Sequence, residues 1–187
     1  TKEQVKDQLN KLTHYFTHFQ IDIADGLFVP NKTIQIKDIE SLIKERQSNF
    51  KNITFDFHLM VNEYQSEIDK LFSLSQTVAI HTVFVHLLPF EKNKLKSDTL
   101  PFTLGIVLNP DDDLSTHWGT VKSFKAIQIM SVQPGFQGAP FLPETLDKII
   151  PNVDKIAQKI EIAENEIQKV NFDRYPENYG KMEIRST

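Results

Sequence analysis

The chain has 187 residues, 40% of them apolar and 25% charged, with a formal net charge of -4; this composition excludes a disordered chain and is long enough for one domain with a substantial core. The slight acidity and the lack of any Lys/Arg block argue against nucleic acid as the main partner, while a local basic funnel for a small phosphate stays compatible with them. Zero cysteines leave only His, Asp or Glu as metal ligands, and with no signal peptide and no apolar run near the roughly 20 residues that span a bilayer, a cytoplasmic protein without a membrane partner is expected.

Residues 2–17 carry Val5, Leu9, Leu12 and Phe16 at helical spacing between charged and amide side chains, which predicts an amphipathic helix. A strand is predicted at 19–24, a helix around 38–48 on Ile39, Leu42 and Ile43, and a strand from Ile53 to Met60. The alternation continues with a helix over 63–76, a strand at 82–86, a short connection, a strand at 103–108, a helix near 114–122, a strand at 126–131 and a helix at 143–157. Strands alternating with helices at this spacing imply βαβ units and a parallel sheet. With no Gly/Ser linker, no low-complexity tract and no repeat beyond that period, residues 1–187 read as a single domain.

Polar residues gather where the predicted strands end. Asp22, Asp25, His58, His86, Asn109, Ser131 and Gln133 all sit at or just past a strand's C-terminus, the place where α/β barrels and open α/β sheets build their sites. Each has a plain reading when taken alone. Asp22 could cap a turn or pair with a surface lysine, Asp25-Gly26 suits a tight turn, and a lone His58 or His86 is more often a satisfied rim histidine than a ligand. Three ionisable groups at one end of three strands change that weighting, because His and carboxylate together suit a divalent metal such as Zn, Fe or Mn. The stretch "MSVQPGFQGAPFLPETL", Met130 to Leu146, runs from a strand through Gly135 and Gly138 towards a helix start. Backbone N–H groups with little side-chain obstruction make it a phosphate cradle or simply a structural loop.

Taken together, "FQIDIADGLFVPN", "ITFDFHLMV", "LGIVLNPDDDL" and "IQIMSVQPGFQGAPFLPETLDKI" resemble, in order and spacing, the ribulose-phosphate 3-epimerase family over roughly residues 3–160. The resemblance implies a (β/α)8 TIM barrel, incomplete or divergent at both ends, that interconverts D-ribulose 5-phosphate and D-xylulose 5-phosphate by metal-assisted proton transfer at C3. It implies Asp22 as acid/base and metal ligand and His58 as metal ligand. Met60 and Met130 would lie beside the substrate, and Gly135, Phe136, Gln137 and Gly138 would hold part of the phosphate. The metal would be Zn, Fe or Mn, and the partner a small sugar phosphate.

The chain also departs from the family pattern. Gln20 stands where the family's first metal histidine falls, and Ala24 where a pocket methionine falls. The second catalytic carboxylate is either Asp173, about ten residues late, or absent, with Ala163 at the expected place in "KIEIAENEI". The family's first strand and its glycine-rich final βα unit are not found here, and "KMEIRST" could supply a substitute strand with Ser186 as a polar group. Unpaired barrel edges would favour a homo-oligomer. Two further readings follow: a catalytically silent relative that binds phosphorylated sugars or serves in assembly, and an epimerase of another ketose phosphate, such as a six-carbon one.

Overall fold

Apolar runs that pair in parallel must have both faces covered, and residues 55–60, 82–86, 105–108 and 126–130 are buried throughout. The computed structural model describes residues 1–45, 50–92, 99–135, 138–145 and 181–184, the last as backbone only. The chain divides into two units, Thr1–Leu104 and Gly105–Thr187. Strands alternate with helices through both, the α/β succession expected of a TIM barrel.

In the first unit the order is α1 (Lys2–Leu12), β1 (His18–Ala24), α2 (Ile36–Glu45), β2 (Thr54–Met60), α3 (Tyr64–Leu74), β3 (Ala79–His86) and α4 (Leu87–Lys92). β2 lies between β1 and β3 and pairs in parallel with each. Alternate residues of β2 divide the two faces. Phe55 and Phe57 stack in one row with Phe50 and Phe19, ring centroids 6.1 to 6.3 Å apart. Ile39, Ile43, Ile68 and Leu71, at helical spacing on α2 and α3, are fully or almost fully buried. The other row of β2 is Asp56, His58 and Met60, also buried.

A buried carboxylate in mid-strand requires partners, and Asp56 has them. Its Oδ1 accepts the backbone N–H of Thr82 at 2.9 Å and lies 3.3 Å from His81 Nδ1, while Oδ2 meets His18 Nε2 at 2.9 Å. The β2–β3 register shifts between Phe55 and Phe57. Asp56 takes up the N–H of Thr82, which the shifted ladder would otherwise leave without a carbonyl.

The loop after β1 folds back on the strand. Thr33 Oγ1 donates to the Asp22 carbonyl and accepts the Ala24 N–H, both at 2.8 Å. Asp25 gathers three backbone N–H groups, from Leu27 at 2.7 Å, Phe28 at 2.9 Å and Asn62 at 3.0 Å. Gly26, at φ +81°, makes the turn. Burial pushes the Asp25 carboxyl up, but the N–H bonds from Phe28, Asn62 and Leu27 outweigh it, and the group ends below its ordinary value.

The second unit contains β4 (Thr103–Leu108), whose first two residues precede the division, α5 (Leu114–Val121), β5 (Ala126–Met130) and β6 (Lys181–Ile184). β4 and β5 pair in parallel, and β6 runs antiparallel to β5, so the strand expected in "KMEIRST" is present as Lys181–Ile184; Ser186 lies outside the described residues. The acidic run Asp111–Asp113 serves local structure. Asp112 accepts the Asn109 N–H at 2.7 Å and Asp113 caps α5 through the Ser115 N–H at 2.9 Å. Bonds from Thr116 and Ser115 lower the Asp113 carboxyl to about 2.

Element boundaries differ from the periodicity in several places, β3 for one beginning at Ala79 rather than at 82. α1 stops at Leu12, and Phe16, expected on its apolar stripe, lies beyond it and is exposed. The connection after β3 is the short helix α4. Of the helix expected at 143–157, Pro143–Thr145 form a 3-10 turn and the remainder lies outside the described residues. No helix among the described residues is long and apolar enough to cross a membrane.

Asp56 and Asp25 each generate a stability prediction. Asp56→Leu removes the acceptor of the Thr82 N–H and should lower unfolding stability by about 1–3 kcal/mol in urea titration; a change within experimental error would contradict the assigned role. The Asp25 carboxyl is lowered in the folded protein, so its contribution is present above the ordinary value of 3.8 and fades as pH falls through the folded value. Thermal melts of Asp25→Asn should therefore lie below wild type at neutral pH, with the gap closing on acidification; a gap that widens would refute it.

Candidate active site

The register of β1 on β2 decides which polar groups meet. Asp22 is the direct partner of His58, and Ala24 of Met60. The Asp22 and His58 side chains share one face at the C-terminal end of neighbouring parallel strands, with Asp22 Oδ1 3.3 Å from His58 Nδ1. His58 is fully buried, while Asp22 is 39% exposed. A solvent-reachable carboxylate held against a buried imidazole is an arrangement that can exchange a proton with a small molecule.

The neighbours orient this pair. Gln20, two residues back on β1, donates its Nε2–H to Asp22 Oδ1 at 3.2 Å. His86, at the end of β3, brings its Nε2 within 2.8 Å of His58 Nε2, the ring centroids being 4.9 Å apart. Tyr64, the first residue of α3, clamps the His86 backbone: its hydroxyl accepts the His86 N–H at 2.7 Å and donates to the His86 carbonyl at 3.2 Å. Burial pushes the Tyr64 hydroxyl well above its ordinary range, so it remains a donor. Phe28, delivered by the Asp25-held turn, lies against the His86 ring at 4.6 Å.

Met60 completes this end of β2, buried beside Ala24 and Val29, with Phe28 packed against the cluster. The smaller Ala24, where the family carries methionine, thus packs directly against Met60. Of the residues expected to act in the first unit, Asp22 and His58 are in contact and Met60 follows two residues on. At helical spacing an aromatic reads as core, which conceals the contact of Tyr64 with the His86 backbone. Its only sequence signal was its place just past the end of β2.

In the second unit, Met130 ends β5 and is buried. The turn beyond it holds Gly135 at φ +101° and Gly138 at φ +76°, and the Leu142 N–H returns to the Ser131 carbonyl at 2.8 Å. Phe136, Gln137, Ala163 and Asp173 lie outside the described residues.

A divalent cation can be tested against the donors present. Two ligands each about 2.0–2.2 Å from one ion at a near-tetrahedral angle lie a little over 3 Å apart, which is the separation of Asp22 Oδ1 and His58 Nδ1. The pair therefore fits as two ligands of one ion. Gln20 acts on Asp22 as a hydrogen-bond donor. Among the described residues no group of three or more His, Cys, Asp or Glu is arranged to hold a metal.

The profile of the Ribulose-phosphate 3 epimerase family matches residues 2–170. Similar curated proteins include ribulose-phosphate 3-epimerase of Helicobacter pylori, 32% identical over 136 residues, covering 70% of this chain and 57% of that protein. Ribulose-phosphate 3-epimerase of a Synechocystis strain is 31% identical over 130 residues, covering 69% and 54%. The chloroplastic ribulose-5-phosphate-3-epimerase of Arabidopsis thaliana is 31% identical over 135 residues, covering 69% and 44%. The chain spans about half the length of these relatives. The match to the family profile covers most of the chain and takes in both Asp22 and His58, and on that ground the chain belongs to the ribulose-phosphate 3-epimerase family.

Proposed function

We propose that the chain is a ribulose-phosphate 3-epimerase-type isomerase acting on D-ribulose 5-phosphate and D-xylulose 5-phosphate. The observation that supports this most is the contact of Asp22 with His58 at the ends of two neighbouring parallel strands, within a chain of this family. Asp22 is the exposed member and serves as the base that removes the C3 proton. The electron pair left on C3 is delocalised into the neighbouring carbonyl as an enediolate. A second acid on the opposite face returns a proton to C3, which inverts the centre and balances the reaction. Asp173 is the proposed second acid.

Asp22 and His58 would together hold a divalent metal, Zn, Fe or Mn. When bound, such an ion supplies positive charge that stabilises the enediolate. Met60 and Met130 are the proposed apolar contacts to substrate. The backbone of the 135–138 turn is proposed to hold part of the phosphate, as its Gly135 and Gly138 permit close approach.

A second reading is favoured by Gln20. An amide that donates to Asp22 Oδ1 in place of a ligating histidine weakens metal affinity and stabilises the carboxylate as an anion, which lowers its strength as a base. A sugar-phosphate binder without turnover would show the same geometry.

Incubation with ribulose 5-phosphate in deuterated water, with and without added Zn, Fe or Mn, distinguishes the readings. The isomerase incorporates deuterium at C3 and forms xylulose 5-phosphate, and Asp22→Asn slows this by about 10²–10⁴-fold. Binding seen by calorimetry with no deuterium under any metal condition would establish the silent relative instead. Faster exchange with a six-carbon ketose phosphate would move the assignment to that substrate.

A further inference from the structure

β5 presents two faces, Ala126, Gln128 and Met130 on one and Ile127 and Ile129 on the other. Its five residues are all buried, and four of them are apolar. The fifth, Gln128, is fully buried, so its amide needs partners inside the protein. One half has one: Nε2 donates to Met130 Sδ at 3.4 Å, two residues on in the same row. The other half does not, since Oε1 is buried with no hydrogen-bond partner among the described residues. A thioether sulfur carries lone pairs and no proton, so the amide nitrogen, and not its oxygen, is the end that suits it.

Stability does not account for this amide. A hydrogen bond to sulfur is weak, and a buried carbonyl oxygen without a donor costs more than one such bond returns. An apolar side chain of the same shape would hold the strand at least as well. What the amide does supply is control of Met130. The backbone there is already fixed, by the ladder that sets Ile129 against Leu108 and by the Leu142 N–H on the Ser131 carbonyl at 2.8 Å. The side chain is not, because methionine has three rotatable bonds and adapts to its surroundings. A donor seated against the sulfur selects one of those arrangements.

From this geometry we propose that Gln128 is a positioning residue for Met130. Its N–H holds the thioether in one conformation, so that the apolar contact β5 offers a sugar phosphate is formed before the ligand arrives. The proposal rests on the reading of Met130 as a substrate contact given above and adds the residue that sets its shape. Ordering a long side chain on binding weakens affinity by about 2–10-fold, and that is the size of effect Gln128 should have.

The test removes each partner of the contact in turn. Gln128→Leu keeps an apolar volume without the donor, and Met130→Leu removes the acceptor. In ligand-free protein labelled with carbon-13 at the methionine methyls, the Met130 resonance is identified by its loss in Met130→Leu, and its carbon shift reports the rotamer about the Cγ–Sδ bond. It should sit at one rotamer's position in wild type and move to the average of rotamers in Gln128→Leu. Urea titration should find Gln128→Leu as stable as wild type or more so. An unmoved Met130 methyl, or a Gln128→Leu that is less stable than wild type or fails to fold, would overturn the proposal by making the amide a packing element.

Binding supplies the second readout. Ribulose 5-phosphate, measured by calorimetry, should bind Gln128→Leu about 2–10-fold more weakly than wild type, and the same substitution made on top of Met130→Leu should cost nothing further. An equal cost in both backgrounds would show that Gln128 acts by a route other than Met130 and overturn the proposal. If wild type binds no ribulose 5-phosphate while the methyl responds to Gln128→Leu as expected, the sugar-phosphate reading of Met130 has failed and the hold of Gln128 on the thioether stands.

Discussion

The parallel register of β1 on β2 is the constraint from which the chemistry of the first unit follows. Because side chains alternate along a strand, a slip of one residue would carry Asp22 to the opposite face from His58 and place Ile21 or Ile23 beside it. Two devices fix that register. The phenylalanine row of Phe19, Phe50, Phe55 and Phe57 makes one face of the pair apolar, so the faces cannot exchange. The loop carrying Thr33 and Asp25 then ties the end of β1 to the peptide of Asp22 and to Asn62 beyond β2. Apolar burial chooses the face, and hydrogen bonds choose the position along it.

Much of this could be read from the residues alone. Largely apolar strands that carry Asp22, His58 and His86 towards their C-terminal ends signalled a parallel sheet with a polar rim. The contact of Asp22 with His58 follows from their equal distance from the ends of neighbouring strands. The chemistry of Asp56 was not legible, since one acid inside "TFDFHLM" gives no sign that its partners would be His18, His81 and an N–H exposed by a register shift. Tyr64, at helical spacing with Ile68 and Leu71, is buried as a core residue would be, yet its hydroxyl reaches the backbone of the rim.

The departures from the family pattern share a physical theme. Gln20 replaces a cationic or ligating side chain by a neutral donor, and the structure places that donor on the oxygen that faces His58. Ala24 replaces a long apolar side chain, and Met60 and Phe28 close over it. Both changes leave the β1 end packed against β2 and the turn that follows β1.

Asp22 and His58 are held to act on one bound molecule. A crystal structure of the protein with an enediolate analogue carrying a terminal phosphate addresses this directly. The analogue's reacting carbon should lie about 3–3.5 Å from an Asp22 carboxylate oxygen, with His58 Nδ1 on the same side of the ligand. A ligand seated away from the ends of β1 and β2, or an Asp22 carboxylate turned from it, would contradict the assignment.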